Sequence, residues 1–336
     1  MTEYTKALNE RFLLQKEYLG ENKSVNNITP VVSVTVATYQ HVNYIKECLD
    51  GILMQKTNFP IEIIIGEDGS TDGAQEICKE YAHAHTDKIR LFIRDRKLSQ
   101  YKDKDGSIQR FNGLWNRMSC RGKYIAFCEG DDYWTDPLKL QKQVDFLESH
   151  PDYVMCSHRF KQYMQKEGIY KDDWYGDISD GIVYDLDTLI HGGWYHHPLT
   201  VMFRSDKLDI EEYSQYPYTM DAVLFFHLLK KGPGIMLNED MAVYRIHSGG
   251  VWSGINQENR LKNEFKARIG LYEVEQSYEA AFFLRHQFAK CFGRKWMLQE
   301  WKTMMESFKI LSKHFGGTNT SKLFLKKLLL NQDLKY

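Results

Sequence analysis

Alternation of β-branched runs with helical patterns constrains the fold of this chain more than any other sequence feature. Residues 31–37 read Val-Val-Ser-Val-Thr-Val-Ala and residues 61–66 read Ile-Glu-Ile-Ile-Ile-Gly, which is typical of buried strands. Between them, apolar residues recur at helical spacing from Ile45 to Leu53. Further strands are predicted at 89–93, 124–128 and 153–156. Repeated β-α-β units predict an α/β fold with a mainly parallel sheet flanked by helices.

Helix starts carry signals of their own. Asp72 with Gln75 resembles a capping pair, and Asp136 followed by Pro137 resembles an N-cap and a first helical position. Farther along, strands are predicted near residues 199–203 and 242–246, and an apolar helix from 221 to 231 lies between them.

The last part of the chain differs from the rest in charge. Residues 261–336 contain 14 lysines and arginines against 7 acidic residues, although the formal net charge of the whole chain is -1. From about residue 257 the pattern is helical. We therefore divide the chain into a helical lead-in (1–29), a central α/β domain (30–255) and a C-terminal helical basic region (256–336).

Composition excludes several classes of protein. A net charge near zero argues against a nucleic-acid partner. No apolar run approaches the ~18 residues that span a bilayer, and the first 20 residues are polar, so we expect a cytoplasmic protein. The six cysteines are widely spaced without a Cys-x-x-Cys pair, which indicates a reducing compartment.

Two acidic clusters directly follow predicted strands, where open parallel sheets bind their ligands. They are Glu67-Asp68-Gly-Ser-Thr-Asp72 and Glu129-Gly-Asp131-Asp132-Tyr-Trp134. A carboxylate in the first could accept hydrogen bonds from a nucleobase or a ribose; a plain strand-to-helix turn is the alternative. Adjacent carboxylates in the second suit Mg²⁺ or Mn²⁺, and a solvated acidic turn is the alternative.

Two single residues complete the candidate site. Asp221 begins an otherwise apolar helix, and a carboxylate beside apolar surface can become a useful base; an N-cap is the alternative. His247 could contact a metal or a phosphate, although a lone histidine is more often structural.

Four motifs in order and spacing resemble family 2 glycosyltransferases. The quoted segments are Val32-Ser-Val-Thr-Val-Ala-Thr-Tyr39, Gly66-Glu-Asp-Gly-Ser-Thr-Asp72, Gly122-Lys-Tyr-Ile-Ala-Phe-Cys-Glu-Gly-Asp-Asp-Tyr-Trp134 and Met220-Asp221. The resemblance covers roughly residues 30–250. It implies a GT-A fold in the 30–255 domain and an inverting transfer of sugar from a nucleotide-diphosphate donor.

The resemblance also implies roles on the donor side. Asp68 corresponds to the carboxylate that recognises the base, and Tyr39 with its neighbour Ala37 lines the nucleotide pocket. Asp132 corresponds to the main metal ligand, with Mn²⁺ or Mg²⁺ as cofactor, and Asp131 to the contact with the sugar and ribose. Ala37 replaces the family's usual proline, which should be tolerated because backbone contacts dominate there.

On the acceptor side, the resemblance makes Asp221 the general base and His247 a metal ligand. Glu129 stands where the family usually has a first aspartate, which leaves its contact with a metal in doubt. The implied reaction takes a UDP-sugar and a hydroxyl of a glycan or lipid-linked saccharide, in surface polysaccharide or glycan synthesis. The transferred group would be a hexosyl or N-acetylhexosaminyl unit.

Two other functions compete with this interpretation. A sugar-phosphate nucleotidyltransferase would need a glycine-rich basic segment after the first strand, where this chain has Ala37-Thr-Tyr-Gln-His41. A non-catalytic carbohydrate-binding protein could use the 14% aromatic residues for stacking, although these are more often core residues. A dinucleotide oxidoreductase is disfavoured because no Gly-x-Gly-x-x-Gly follows a strand.

The basic C-terminal region suggests a peripheral membrane contact. Residues 322–330 mix leucines and lysines as a membrane-surface helix does, and Lys290, Arg294, Lys295 and Lys302 add positive charge nearby. A helix packed on the catalytic domain with solvated lysines is the alternative.

Overall fold

The computed structural model of the chain describes residues 2–102, 106, 108–178, 181–218, 220–250, 254–291 and 301–320. The predicted membrane-surface segment 322–330 lies outside the described residues, as do Arg294, Lys295 and the side chain of Lys302. Among the helices within these ranges, none combines the length and apolarity needed to cross a membrane.

Strands and helices alternate through the first half of the chain. The strands are β1 (Val32–Thr38), β2 (Ile61–Glu67), β3 (Ile89–Ile93), β4 (Gln100–Lys102), β5 (Ile108–Arg110), β6 (Tyr124–Phe127), β7 (Tyr133–Trp134), β8 (Met155–Met164), β9 (Ile169–Asp172), β10 (Ile182–Tyr184), β11 (Met202–Arg204) and β12 (Gly234–Ile246). The helices are α1 (Glu3–Phe12), α2 (Ile45–Leu53), α3 (Ala74–Ala84), α4 (Asn112–Met118), α5 (Lys139–Ser149), α6 (Leu186–Ile190), α7 (Ile210–Tyr213), α8 (Asp221–Leu229), α9 (Gln257–Glu275), α10 (Tyr278–Cys291) and α11 (Trp301–Phe315).

One sheet dominates the structure, with the strand order β10-β12-β8-β11-β6-β1-β2-β3. Strands β6, β1, β2 and β3 run parallel, as do β12 and β8, whereas β11 runs antiparallel between β6 and β8. The short strands β7 and β9 pair antiparallel with β12 and β8. The predicted α/β class with a mainly parallel sheet flanked by helices is confirmed.

Strand β1 lies in the middle of the parallel part because both of its faces are buried. Val32, Val34 and Val36 belong to the main hydrophobic core and are fully buried. On the other face, the hydroxyl of Ser33 donates to Glu62 Oε1 at 2.6 Å, so the buried Ser33 hydroxyl has a hydrogen-bond partner. The alternation of apolar and small hydroxyl residues thus fits a strand that is covered on both sides.

Both predicted helix starts are displaced in the structure. Helix α3 begins after Gly73, whose φ of +108° suits glycine, and Asp72 instead accepts from the backbone of Ala74 and Val42. Helix α5 begins after Leu138 rather than Asp136, and the Asp136 carboxylate accepts from the Leu138 backbone at 2.7 Å. Asp136 thus stabilises the turn before α5, whereas Asp72 bonds to the first N–H of α3 from one residue before the N-cap position.

The chain divides into two compact units. The first comprises residues 1–183, 195–211 and 231–248, and the second comprises residues 184–194, 212–230 and 249–336. In the second unit, α9 packs on α8 and α10, and α10 packs on α6 and α11. Buried Phe265, Leu271, Phe283 and Phe288 fill its interior. The domain boundaries predicted at residues 30 and 255 stay predictions.

Candidate active site

The carboxyl ends of the parallel strands bring separate loops together in the first unit. Residue Thr38 of β1 pairs with Glu67 of β2, and Thr35 of β1 pairs with Phe127 of β6. The loops after β2 and β6 then bond to consecutive residues of β1. Asp68 N–H donates to Thr38 O, and Gly130 N–H donates to Ala37 O, both at 3.0 Å. The two predicted acidic clusters therefore flank the end of β1.

Within the first cluster, Glu67 and Asp72 have structural roles in the turn. Glu67 is fully buried and accepts from the backbone of Ser70 at 2.7 Å and from Gln75 at 2.9 Å. Asp72 is engaged with the backbone, as described above. These two carboxylates shape the turn, so the turn interpretation holds for Glu67 and Asp72 but does not account for Asp68.

Asp68 is buried among cationic and hydroxyl groups. Its Oδ2 lies 2.5 Å from Arg96 Nη1, and its Oδ1 accepts a short hydrogen bond from the Ser99 hydroxyl. Burial raises the pKa of Asp68 above its ordinary value, although the Ser99 hydrogen bond and the Arg96 charge oppose the shift. The guanidinium of Arg96 also lies over the Tyr39 ring, 3.3 Å from its centre.

Tight packing fixes the second cluster against β1. A Cβ atom on Gly130 would come within 2.6 Å of Thr38 Oγ1 and 2.8 Å of His41 Nδ1, so a side chain here would push the loop away. The next residues, Asp131 and Asp132, are adjacent in sequence but lie in different surroundings. This difference shifts their pKa values in opposite directions.

Asp131 faces two histidines. His247 Nε2 lies 3.1 Å from Asp131 Oδ2, and His41 Nε2 lies 3.8 Å from the same atom. Burial raises the pKa of Asp131, but the hydrogen bond from His247 and the charges of both histidines outweigh it, so the net shift is downward. The carboxylate of Asp131 is thus held in its ionised form.

Asp132 is more deeply buried and faces the backbone. Its Oδ1 accepts from the Arg245 N–H at 2.8 Å, and 3% of the residue is exposed. Burial and the neighbouring charge of Asp131 raise the pKa of Asp132 well above its ordinary value. Arg245 links the two aspartates, since its Nε also donates to the Asp131 carbonyl at 2.9 Å.

The donor set of this loop fits a hard divalent cation. Two adjacent carboxylates supply the hard oxygen ligands that Mn²⁺ and Mg²⁺ prefer, and the His247 imidazole adds a softer nitrogen donor beside them. A cation would relieve the repulsion that raises the pKa of Asp132. The described residues do not contain three such side chains already grouped for coordination. Water or a substrate phosphate would therefore complete the shell, as is usual for Mg²⁺.

Asp221 belongs to the second unit. It is the first residue of α8, and Met220 is the N-cap, so Asp221 does not occupy the N-cap position. The side chain of Asp221 is exposed, whereas the residues that follow it in α8 are buried. Its assignment as a base stays a prediction.

Sequence reasoning missed three residues near the predicted ones: Arg96, Ser99 and His41. Arg96 and Ser99 follow β3, the third parallel strand, so the same strand-end rule that selected Asp68 could have selected them. His41 lies within the quoted segment 37–41, but no pattern indicated that it would face Asp131.

Asn112 and Asn116 of α4 support the sheet beneath these loops. Their amide groups donate to the carbonyls of Gly66 at 3.0 Å and Val36 at 2.9 Å. Both asparagine oxygens accept from the buried Arg94. They brace β1 and β2 from below the loops.

Comparison with known proteins supports the interpretation of the motifs. The model of the family described as Glycosyl transferase family 2 matches residues 33–208. An uncharacterized protein of Mycobacterium tuberculosis is 33% identical over 229 residues, which are 68% of this chain and 62% of that protein. The chain thus matches less than two thirds of the length of this relative.

The names of other relatives state a function. TuaG, a Bacillus subtilis protein assigned to teichuronic acid biosynthesis as a glycosyltransferase, is 25% identical over 78% of this chain and 93% of its own length. The structure of S. aureus TarS residues 1–349 in complex with UDP-GlcNAc matches with a TM-score of 0.60 and 14% identity. That match covers 90% of this chain and 93% of the TarS chain, and it shows a common fold.

Proposed function

Because this chain belongs to glycosyl transferase family 2, we propose that it transfers a sugar from a UDP-sugar to a hydroxyl group of a glycan or lipid-linked saccharide. The transferred unit is a hexosyl or N-acetylhexosaminyl group, and the product belongs to a surface polysaccharide or glycan. The observation that carries the proposal is the attachment of both acidic loops to consecutive residues of β1. The proposal assigns the carboxylate on one of these loops to the base and the pair on the other loop to a cation.

In this proposal, each group of the first unit has a part of the donor to hold. Asp68 and Tyr39 bind the base, and Ala37 contributes its backbone to the pocket wall. Asp132 and His247, with Asp131 beside them, would hold Mn²⁺ or Mg²⁺, which would supply positive charge beside the departing diphosphate. Asp131 also contacts the sugar and the ribose. Arg245 fixes the relative placement of the two aspartates, because it bonds to both.

The reaction is a single displacement at the anomeric carbon. The acceptor oxygen forms a bond to that carbon on the face opposite the leaving group, and the bond to the β-phosphate oxygen breaks. Asp221 takes the proton of the acceptor hydroxyl, and UDP leaves with the electron pair. One displacement inverts the anomeric configuration, whereas retention by double displacement would require a nucleophilic side chain as well.

Support for a uridine donor and a polymer acceptor comes from the relatives. TarS has been determined with UDP-GlcNAc, and TuaG is assigned to teichuronic acid biosynthesis. A cytoplasmic location and a peripheral membrane contact through residues 322–330 complete the proposal. Both parts of the proposal rest on the sequence alone. Residues 322–330 lie outside the described residues.

Hydrolysis of a nucleotide-sugar panel tests this function. We expect slow, Mn²⁺-dependent release of UDP from one UDP-sugar, and loss of at least ~100-fold of that rate in Asp132→Ala with an unchanged circular-dichroism spectrum. Release of UMP or pyrophosphate would point to the nucleotidyltransferase. Binding of free saccharide without any turnover would point to the carbohydrate-binding alternative.

A further inference from the structure

The Asp68 pocket differs on its two carboxylate oxygens, and this difference bears on which base it accepts. Oδ1 is held by the Ser99 hydroxyl, and Oδ2 is held by Arg96. Asp68 is 1% exposed and Ser99 is fully buried, so neither side chain can turn to solvent. The Arg96 side chain is 24% exposed and has room to move.

Ser99 is fixed by its backbone as well as by its side chain. Its N–H donates to Asp95 O at 3.0 Å, and its carbonyl accepts from Phe111 N–H at 2.8 Å. Its hydroxyl has one proton, and the Asp68 oxygen is nearer than the alternative acceptor, the Arg96 carbonyl at 3.2 Å. A charge-assisted hydrogen bond of this kind is stronger than one to a neutral acceptor. The Ser99 hydroxyl therefore fills one acceptor position of Oδ1, and with Asp68 1% exposed this is the less available of the two oxygens.

Arg96, in contrast, covers the two groups that a base would contact, the face of the Tyr39 ring and Asp68 Oδ2. Its guanidinium is planar, stacks on the Tyr39 ring at 3.3 Å and donates to Asp68 Oδ2. A nucleobase with one ring N–H would make the same two contacts after Arg96 moves aside. Arg110 adds a second cation beside the pocket, since it interacts electrostatically with Asp68, Arg96 and Tyr39.

We infer that Ser99 is a specificity-determining residue: by occupying Oδ1, it leaves Oδ2 as the oxygen of Asp68 that a base can use and thereby favours uracil over guanine. This inference rests on the proposed function of the site. Uracil offers one imide N–H between two carbonyl oxygens, which matches one acceptor flanked by cationic donors. Guanine presents adjacent N–H groups that require both carboxylate oxygens, and cytosine has an acceptor at the corresponding ring nitrogen.

Nucleotide binding to the full chain tests this inference. The dissociation constants of UDP, GDP and CDP are measured by calorimetry with Mn²⁺ for the wild type, Ser99→Ala and Ser70→Ala. Ser70 lies in the Asp68 loop, where its hydroxyl accepts from the Gln40 backbone rather than bonding to Asp68, so it is a matched control. We expect Ser99→Ala to lower the preference for UDP over GDP by about tenfold, and Ser70→Ala to leave it unchanged.

Two results would overturn the inference. One is an unchanged UDP preference in Ser99→Ala; the other is wild-type binding of GDP as tight as that of UDP. If Ser99→Ala does not fold, Ser99→Cys, whose thiol is a weak donor, replaces it in the same comparison. Failure of the proposed function would look different, because the wild type would then bind none of the three nucleotides and release none from a nucleotide-sugar.

Discussion

At the scale of single residues, two neighbouring aspartates have pKa values shifted in opposite directions because their surroundings differ. Asp131 meets histidines and keeps its charge, whereas Asp132 is buried against backbone and has a raised pKa. A cation would have opposite consequences for them. It would compete with His247 for Asp131 but would relieve the repulsion on Asp132, so binding should couple to proton release from this loop.

Lys139 offers a test of burial on a residue outside the site. It is fully buried, donates to Gln143 at 2.7 Å and lies over the Trp134 ring. Burial lowers the pKa of Lys139 to about 7. In the unfolded chain the lysine keeps its proton up to about pH 10, so between pH 7 and 10 the unfolded state binds more protons and stability rises with pH.

We therefore expect the free energy of unfolding of the wild type, relative to Lys139→Met, to increase by about 2 kcal/mol from pH 7 to pH 9. Urea denaturation of both proteins at the two pH values measures this difference. The methionine variant cancels the contribution of other titrating groups, such as the buried thiols. If the free energies of unfolding of the two proteins change equally with pH, the pKa of Lys139 is not lowered in the folded protein.

Sequence patterns identified the residues at strand ends but not their partners. Asp68, Asp131 and Asp132 were predicted because each follows a strand, and strand ends meet at one edge of a parallel sheet. The contact of Arg96 with Tyr39 joins residues on different loops. His247 contacts Asp131 rather than Asp132 because of the directions of the side chains. Neither depends on local spacing, so neither could be predicted.

At the scale of elements, β1 organises the site because two loops use its last carbonyls as acceptors. The strands themselves were predictable, since β-branched runs that are buried on both faces leave few alternatives. The helix starts were less so. Asp72 and Asp136 have the side chains of caps, but neither is the N-cap residue. Asp136 bonds within the turn before α5, and Asp72 bonds to Ala74 and to Val42 on another loop, a tertiary contact that local sequence does not predict.

Gly130→Ala should show that the acidic loop needs its close approach to β1. The new Cβ would collide with Thr38 and His41, and relief of the collision moves Asp131 and Asp132. We expect a loss of stability of about 1–3 kcal/mol and a loss of Mn²⁺-dependent UDP release that exceeds what unfolding explains.

Thermal unfolding and UDP release are measured on the same preparations. Gly113→Ala is the control, since a Cβ at that position would lie 3.8 Å from Arg117 Nη1, an ordinary contact. Full turnover by Gly130→Ala would show that the loop adapts and that its position is not critical.

At the scale of the whole molecule, the functional residues belong to two compact units. The residues proposed to bind the donor all belong to the first unit, and the proposed base Asp221 belongs to the second. Donor binding and proton removal should therefore be separable by mutation.

Asp221→Asn is expected to keep the UDP dissociation constant within about twofold while transfer falls ~100-fold or more, because general-base catalysis contributes that much. Calorimetry with UDP and Mn²⁺ measures the first quantity, and a coupled assay of UDP release in the presence of acceptor measures the second. Near-normal transfer would reject Asp221 as the base. An equal loss of UDP affinity would instead place Asp221 in donor binding.

Helix α1, far from every motif, reaches the segment that carries Ser99. Arg11 donates to the carbonyls of Leu98 and Gln100 on either side of that serine, at 3.2 and 2.7 Å. The Trp115 indole donates to Leu8 O at 3.1 Å and secures the helix from the other side. The amino-terminal lead-in thus supports the segment that carries Ser99, beside Asp68. A fragment limited to residues 33–208, the span that the family model matches, would lack α1 and this support. Even if that fragment folds, we expect its preference for UDP over GDP to be smaller than that of the full chain.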